Sequence, residues 1–230
     1  MFTALFALAL PAALHAQVWV LDFEGLRDFE SISNYYNGGL GGYGSGPGMN
    51  WGITFAPSAL ALIDGDDGGT GNFENNPSGK TVAFFQSGGA LTMNVASGFD
   101  SGFSFFYSAV SFPGEVRVWS GLDATGTLLA TIFLAATGSS CGVPAGRYGD
   151  YNCWDKIGVS FAGLAHSVDF GGTANQIAFD NITLGSATPG GETVTPEPVS
   201  MALLGTGLAG VAAARRRRRE RDASQPEARG

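Results

Sequence analysis

Apolar and polar residues alternate in short runs along most of the chain, and turn-forming residues separate the runs. An alternation of period two sends successive side chains to opposite faces of a strand. Trp51, Ile53 and Phe55 follow it, as do Phe103, Phe105 and Tyr107, and so do Val116 and Val118 against Arg117 and Trp119. More continuous apolar runs occupy Val18–Phe23, Ala59–Ile63, Thr81–Gln86, Ala90–Val95, Thr127–Leu134, Ile157–Phe161, His166–Phe170 and Gln176–Leu184. Together they predict about eleven strands. No segment between Gln17 and Gly185 carries the 3.6-residue period of an amphipathic helix. The expected fold is all-β, a jelly-roll-like β-sandwich over residues 17–185.

Two details refine that pattern. Ile177 and Phe179 share one face of the last strand, but Ile182 and Leu184 fall out of that phase. A bulge at Asp180-Asn181 restores the phase and re-aims the neighbouring side chains. Gly38–Gly48 and Asp64–Gly79 are long connections, of a length more often functional or ligand-ordered than idle.

The chain ends read differently. Met1–Ala16 has a short apolar core, a proline at Pro11 and a small residue before Gln17, the pattern of a secretory signal peptide. It departs from that pattern in having no Lys or Arg near Met1. The alternative is a buried N-terminal strand or helix. Residues 186–198 turn to Thr, Pro, Gly and Glu, a tether ending in Pro196-Glu197-Pro198. Sixteen uncharged residues follow, Val199–Ala214, then the five arginines Arg215, Arg216, Arg217, Arg218 and Arg219. The apolar run can form a short transmembrane helix, and the arginines hold its end in the cytoplasm. At about 1.5 Å per residue it spans about 24 Å, short of the roughly 30 Å hydrocarbon core. That shortness favours a transient, processed helix over a permanent anchor. Residues 220–230 read as a disordered tail.

This Pro-Glu-Pro, apolar run and arginine cluster resembles the PEP-CTERM sorting signal of exported bacterial proteins. The resemblance covers Val194 to about Arg219. It implies an exosortase-type membrane enzyme that recognises Pro196-Glu197-Pro198 and processes the tail. It also implies an inner-membrane anchor held only in transit through residues 199–214, and delivery to the cell surface, outer membrane or extracellular matrix. A second, looser resemblance lies in Asp22-Phe23-Glu24 and Phe179-Asp180-Asn181-Ile182. Such ends look like those of carbohydrate-binding-module jelly rolls, in which first and last strands meet.

Charge narrows the partners. Between Gln17 and Thr195 there are sixteen acidic residues against five basic ones, so the ectodomain carries 5 − 16 = −11. Nucleic acid is excluded as a partner, whereas divalent cations and neutral glycans such as exopolysaccharide suit it. Cys141 and Cys153, the only cysteines, read as a disulfide in an exported chain. A loop of that size contributes about 3 kcal/mol.

Three carboxylates, Asp22, Glu24 and Asp180, meet if the first and last strands meet, and would repel one another without a cation. Ca²⁺ takes six to eight oxygens and suits the extracellular setting, so a structural calcium is expected there. The alternative is a pair of solvated strand-edge charges. Asp64, Asp66 and Asp67 form a second oxygen-rich candidate, or a solvated turn. Enzymatic signals are weak. His166 is the only histidine after the signal peptide, and Gly138-Ser139-Ser140-Cys141-Gly142 lacks the helix a nucleophile elbow requires. No carboxylate pair stands out for glycoside hydrolysis, and no catalytic residue is expected. Flat rings in Gly-rich loops can stack on sugars, and Tyr35, Tyr36 and Tyr151 are the candidates. The expected role is non-catalytic binding of glycan or matrix components. The alternatives are a purely structural or adhesive surface protein and a glycan-cleaving hydrolase.

Overall fold

The alternating runs become eleven strands in the computed structural model, which describes residues 17–139, 141 and 150–191. They are β1 (Trp19–Leu21), β2 (Ile53–Phe55), β3 (Ala59–Ile63), β4 (Thr81–Phe85), β5 (Ala90–Phe99) and β6 (Gly102–Ser108). They continue with β7 (Gly114–Trp119), β8 (Leu128–Leu134), β9 (Asp155–Ser160), β10 (Ala165–Gly171) and β11 (Ala178–Leu184). Every run predicted from the sequence holds a strand. β1 ends earlier than its apolar run because Phe23 turns the chain with φ of +62°. The signal peptide, the Pro-Glu-Pro motif, the transmembrane segment, the arginine cluster and the tail lie outside the described residues. No helix among the described residues is long and apolar enough to cross a membrane.

All pairings between the strands are antiparallel, and they form two sheets. One runs β3-β4-β11-β6-β9, with β1 also on β11; the other runs β2-β5-β10-β7-β8. Inward side chains of the two sheets interdigitate, as alternation requires. Phe170 of the second sheet meets Phe179 of the first at 4.9 Å and 65°. Phe105 packs edge-on against both, at 5.8 and 5.7 Å. Each such edge-to-face pair adds about 0.5–1.5 kcal/mol beyond burial.

The expected bulge is present. Asp180 lies opposite Phe106 and Thr183 opposite Ser104, so three steps on β11 face two on β6. Asn181 takes the extra step with φ of +49°, a conformation that Asn tolerates better than most residues. Phe179, Ile182 and Leu184 all remain buried as a result. The bulge also changes partners on the other side of β11. Ala178 and Phe179 pair with β4, whereas Ile182, Thr183 and Leu184 pair with β1.

Candidate functional site

The predicted acid cluster serves a different purpose. The N–H groups of Lys80 and Thr81 both donate to Glu24 Oε1, at 2.8 Å each. Ser78 donates its N–H to Asp180 Oδ2 at 3.0 Å, and Asn181 donates its own to Asp180 Oδ1 at 2.6 Å. Asp22 Oδ1 accepts from the Glu24 N–H at 3.2 Å. Glu24 and Asp180 therefore hold the backbone that leads into β4. Gly79, at φ of +48°, passes so close to the Glu24 carboxylate that a Cβ there would collide with it. No three His, Cys, Asp or Glu residues among the described residues come together as a metal-binding group. At Asp22, Glu24 and Asp180, where calcium was expected, N–H donors take one oxygen of Asp22, one of Glu24 and both of Asp180. Burial pushes the Asp180 carboxyl up to about 7, against the pull of its hydrogen bonds.

In the second metal candidate Asp64 caps a turn. Asp64 Oδ1 accepts from Asp66 N–H at 2.9 Å and closes the short 3₁₀ turn Gly65–Asp67. Asp66 and Asp67 point to solvent.

The Gly-rich connection is ordered by the protein itself. Glu30, fully buried, sits at its centre. The N–H groups of Arg27 and Tyr43 reach its carboxylate at 2.7 Å, and that of Ser45 at 3.0 Å. Burial raises its pKa, but these hydrogen bonds outweigh burial and leave it below the usual range. Tyr36 belongs to this packing and not to a glycan surface. Its ring is 2% exposed, stacks on Trp51 at 5.6 Å, and its hydroxyl accepts the Phe23 N–H at 2.7 Å. Tyr35 is half-buried; its hydroxyl donates to the Glu24 carbonyl at 2.9 Å. Gly48 lies on the Tyr35 ring, where a Cβ would sit 2.8 Å from ring carbons. The burial of Tyr36 corrects the expectation for that ring.

Tyr151 differs. It lines an open depression of about 360 Å³ with Asn72, Asp150, Asn175, Gln176, Ser111, Ser139 and Val110. The volume suits a small-molecule site. Beneath the ring lies a small apolar cluster that includes Leu62, Phe73 and Phe84. The Tyr151 hydroxyl donates to Gln176 Oε1 at 3.1 Å. Its N–H donates to the Asn72 carbonyl at 3.1 Å, and its carbonyl accepts from Glu74 at 3.2 Å. Burial first, then the Asp150 charge, push the hydroxyl above its usual range, so it remains a donor. The Cys141–Cys153 disulfide, with Cα atoms 5.6 Å apart, bears out the expected pairing and ties down the same segment. The resulting site is one ring on an apolar bed, edged by amides, hydroxyls and one carboxylate. Sequence reasoning missed Asn175, Gln176 and Glu30. Glu30 alone had a visible signal, because Asp28-Phe29-Glu30 repeats Asp22-Phe23-Glu24. Both copies hold the Phe at positive φ and use the Glu to accept backbone N–H groups.

Residues 194–219 match the PEP-CTERM protein-sorting motif, so the chain carries the sorting signal that its C-terminal pattern resembles. Among curated proteins none matches the chain. Several solved structures share parts of its architecture. One is a family 6 carbohydrate-binding module, 16% identical over 57% of this chain and 86% of that one, with a TM-score of 0.36. Another is a carbohydrate-binding module from Cellvibrio mixtus lichenase 5A in complex with cellotriose, 14% identical over 56% and 87%, with a TM-score of 0.33. A third is a Bacillus subtilis glycoside hydrolase family 43 arabinoxylan arabinofuranohydrolase in complex with cellotetraose. It is 18% identical over 58% of this chain and 26% of that one, with a TM-score of 0.37. At these identities and scores the likeness bears on no site residue.

Proposed function

We propose that this chain is an exported surface protein whose β-sandwich binds a neutral polysaccharide at the Tyr151 depression. The observation that carries the binding reading is the depression itself. A half-buried ring resting on apolar side chains presents a flat amphipathic surface, and flat rings stack on sugar faces. Asn72, Asn175 and Gln176 supply amides that both donate and accept, matching the hydroxyls of a sugar. The ectodomain's charge of −11 disfavours an anionic partner and leaves a neutral one.

The sorting motif supplies the destination. An exosortase-type enzyme would act at Pro196-Glu197-Pro198 while residues 199–214 hold the chain in the inner membrane, and the ectodomain would then pass to the surface or matrix. Binding fits this site better than hydrolysis. Among the described residues that line it, Asp150 is the one carboxylate, and glycoside hydrolysis takes two.

Affinity electrophoresis of the full chain through gels containing the host's exopolysaccharide tests the reading. Tyr151→Ala should weaken retardation by about tenfold in Kd, equivalent to about 1.4 kcal/mol. Equal retardation of wild type and Tyr151→Ala would overturn it.

A further inference from the structure

Five strands have a single partner, and four of them are guarded; β1 is only three residues long. β3 is covered by the segment 28–32: Ile32 donates to the Ala59 carbonyl at 3.0 Å, Ala61 to that of Glu30 at 2.8 Å, and Ile63 to Asp28 Oδ1 at 2.9 Å. β2 is three residues long and is covered by the segment 33–36, with Phe55 donating to Ser33 at 2.9 Å and Ile53 to Tyr36 at 3.2 Å. β9 opens with the charged pair Asp155-Lys156. Cover, shortness and charge are the usual defences of a sheet edge against pairing with another chain.

Among the described residues no segment hydrogen-bonds to the outer edge of β8, although β9 of the other sheet approaches it. β8 is seven residues long, Leu128-Leu129-Ala130-Thr131-Ile132-Phe133-Leu134, with no charge, no proline and no glycine. It pairs with β7 and, among the described residues, with no other strand. Ile132 and Leu134 face the core, whereas Phe133 is 72% exposed, more than any other large apolar side chain described. Leu128 is also exposed. The strand thus combines a row of backbone groups left unpaired among the described residues, an unburied aromatic ring and a composition prone to pairing.

We infer that β8 is a self-association edge, and that its occupant is β8 of a second copy of this chain, paired antiparallel about a two-fold axis at Thr131. A two-fold contact needs only a strand complementary to itself, and the composition provides one. With Thr131 opposite its own copy, Ala130 meets Ile132, Leu129 meets Phe133 and Leu128 meets Leu134. No pair brings two charges together, although the ectodomain as a whole carries −11. Residues opposite one another share a face in an antiparallel pair, so the core positions stay on the core side. Phe133 gains an aliphatic cross-strand neighbour, and such pairs stabilise sheets. The two five-stranded sheets would join into one of ten strands. Copies carrying one sorting motif reach the same compartment, and shared confinement raises their effective concentration. The inference does not depend on the glycan reading.

The test uses the full chain in mild detergent. A residue on the two-fold axis faces itself at about 4.5–5.5 Å between Cα atoms, within disulfide reach. Thr131→Cys should therefore oxidise to a covalent dimer in which the Thr131 peptide is linked to itself. Wild type should sediment as a dimer. Thr131→Lys and Phe133→Lys, both on the solvent face, should sediment as monomers with an unchanged circular dichroism spectrum. Thr131→Cys remaining monomeric after oxidation would overturn the inference, as would a folded Thr131→Lys that dimerises like wild type. A dimer held only by the C-terminal segment would show itself by the first of these results.

Discussion

Glu24 and Asp180 grip one short stretch of backbone from its two ends. Glu24 accepts from Lys80 and Thr81, and Asp180 accepts from Ser78. The first residues after β1 and the bulge of β11 thereby fix where β4 begins. The Asp180 carboxylate is fully buried for this task, and burial of a charge raises a carboxyl pKa.

That burial predicts a pH dependence. In the unfolded chain Asp180 releases its proton near 3.8, and in the folded protein it holds it to about 7. Between those values the folded state binds more protons, so stability falls as pH rises through the window and then levels off. The melting temperature should be higher at pH 5 than at pH 8, and Asp180→Asn should flatten the slope. A wild-type melt that rises from pH 5 to pH 8 as steeply as that of Asp180→Asn would contradict the assignment.

A chelator should do nothing to the fold. A ligand bound only to the native state stabilises it by mass action, so loss of a structural cation would lower the melt. One oxygen of Glu24, one of Asp64 and both of Asp180 already accept N–H groups. EDTA should leave the melting temperature unchanged in differential scanning calorimetry, and a drop of several degrees would restore calcium to the account.

Glu30→Gln should loosen the Gly-rich connection. The substitution trades an acceptor oxygen for an amide that cannot accept, and leaves buried N–H groups unpaired. The expected cost is about 1–3 kcal/mol, read by urea denaturation. Protease cleavage within residues 38–50 should quicken in the same variant. Equal cleavage rates would mean that Glu30 does not organise the loop.

Alternation and short apolar runs located all eleven strands, and the phase slip between Phe179 and Ile182 located the bulge. Local pattern suffices for both, because strand period and phase are written in consecutive residues. The site was harder to read. Tyr36 looked like a surface ring because it lies between Asn34 and a run of glycines, yet Trp51 and Phe23 bury it. Around Glu24 and Asp180 the sequence shows carboxylates and hides N–H donors more than fifty residues away. Tyr151 lines the depression with Asn72 and Gln176, which come from two different loops. Nothing local marks residues that only tertiary pairing brings together.

Delivery to the surface is the premise on which the whole reading stands, and the C-terminus tests it most directly. Intact mass and C-terminal peptide should be measured on protein recovered from the host's envelope and medium. The account predicts loss of everything from near Pro196-Glu197-Pro198 onward. Recovery of chains that still carry Arg215–Arg219 would contradict it and leave a plain membrane-anchored protein.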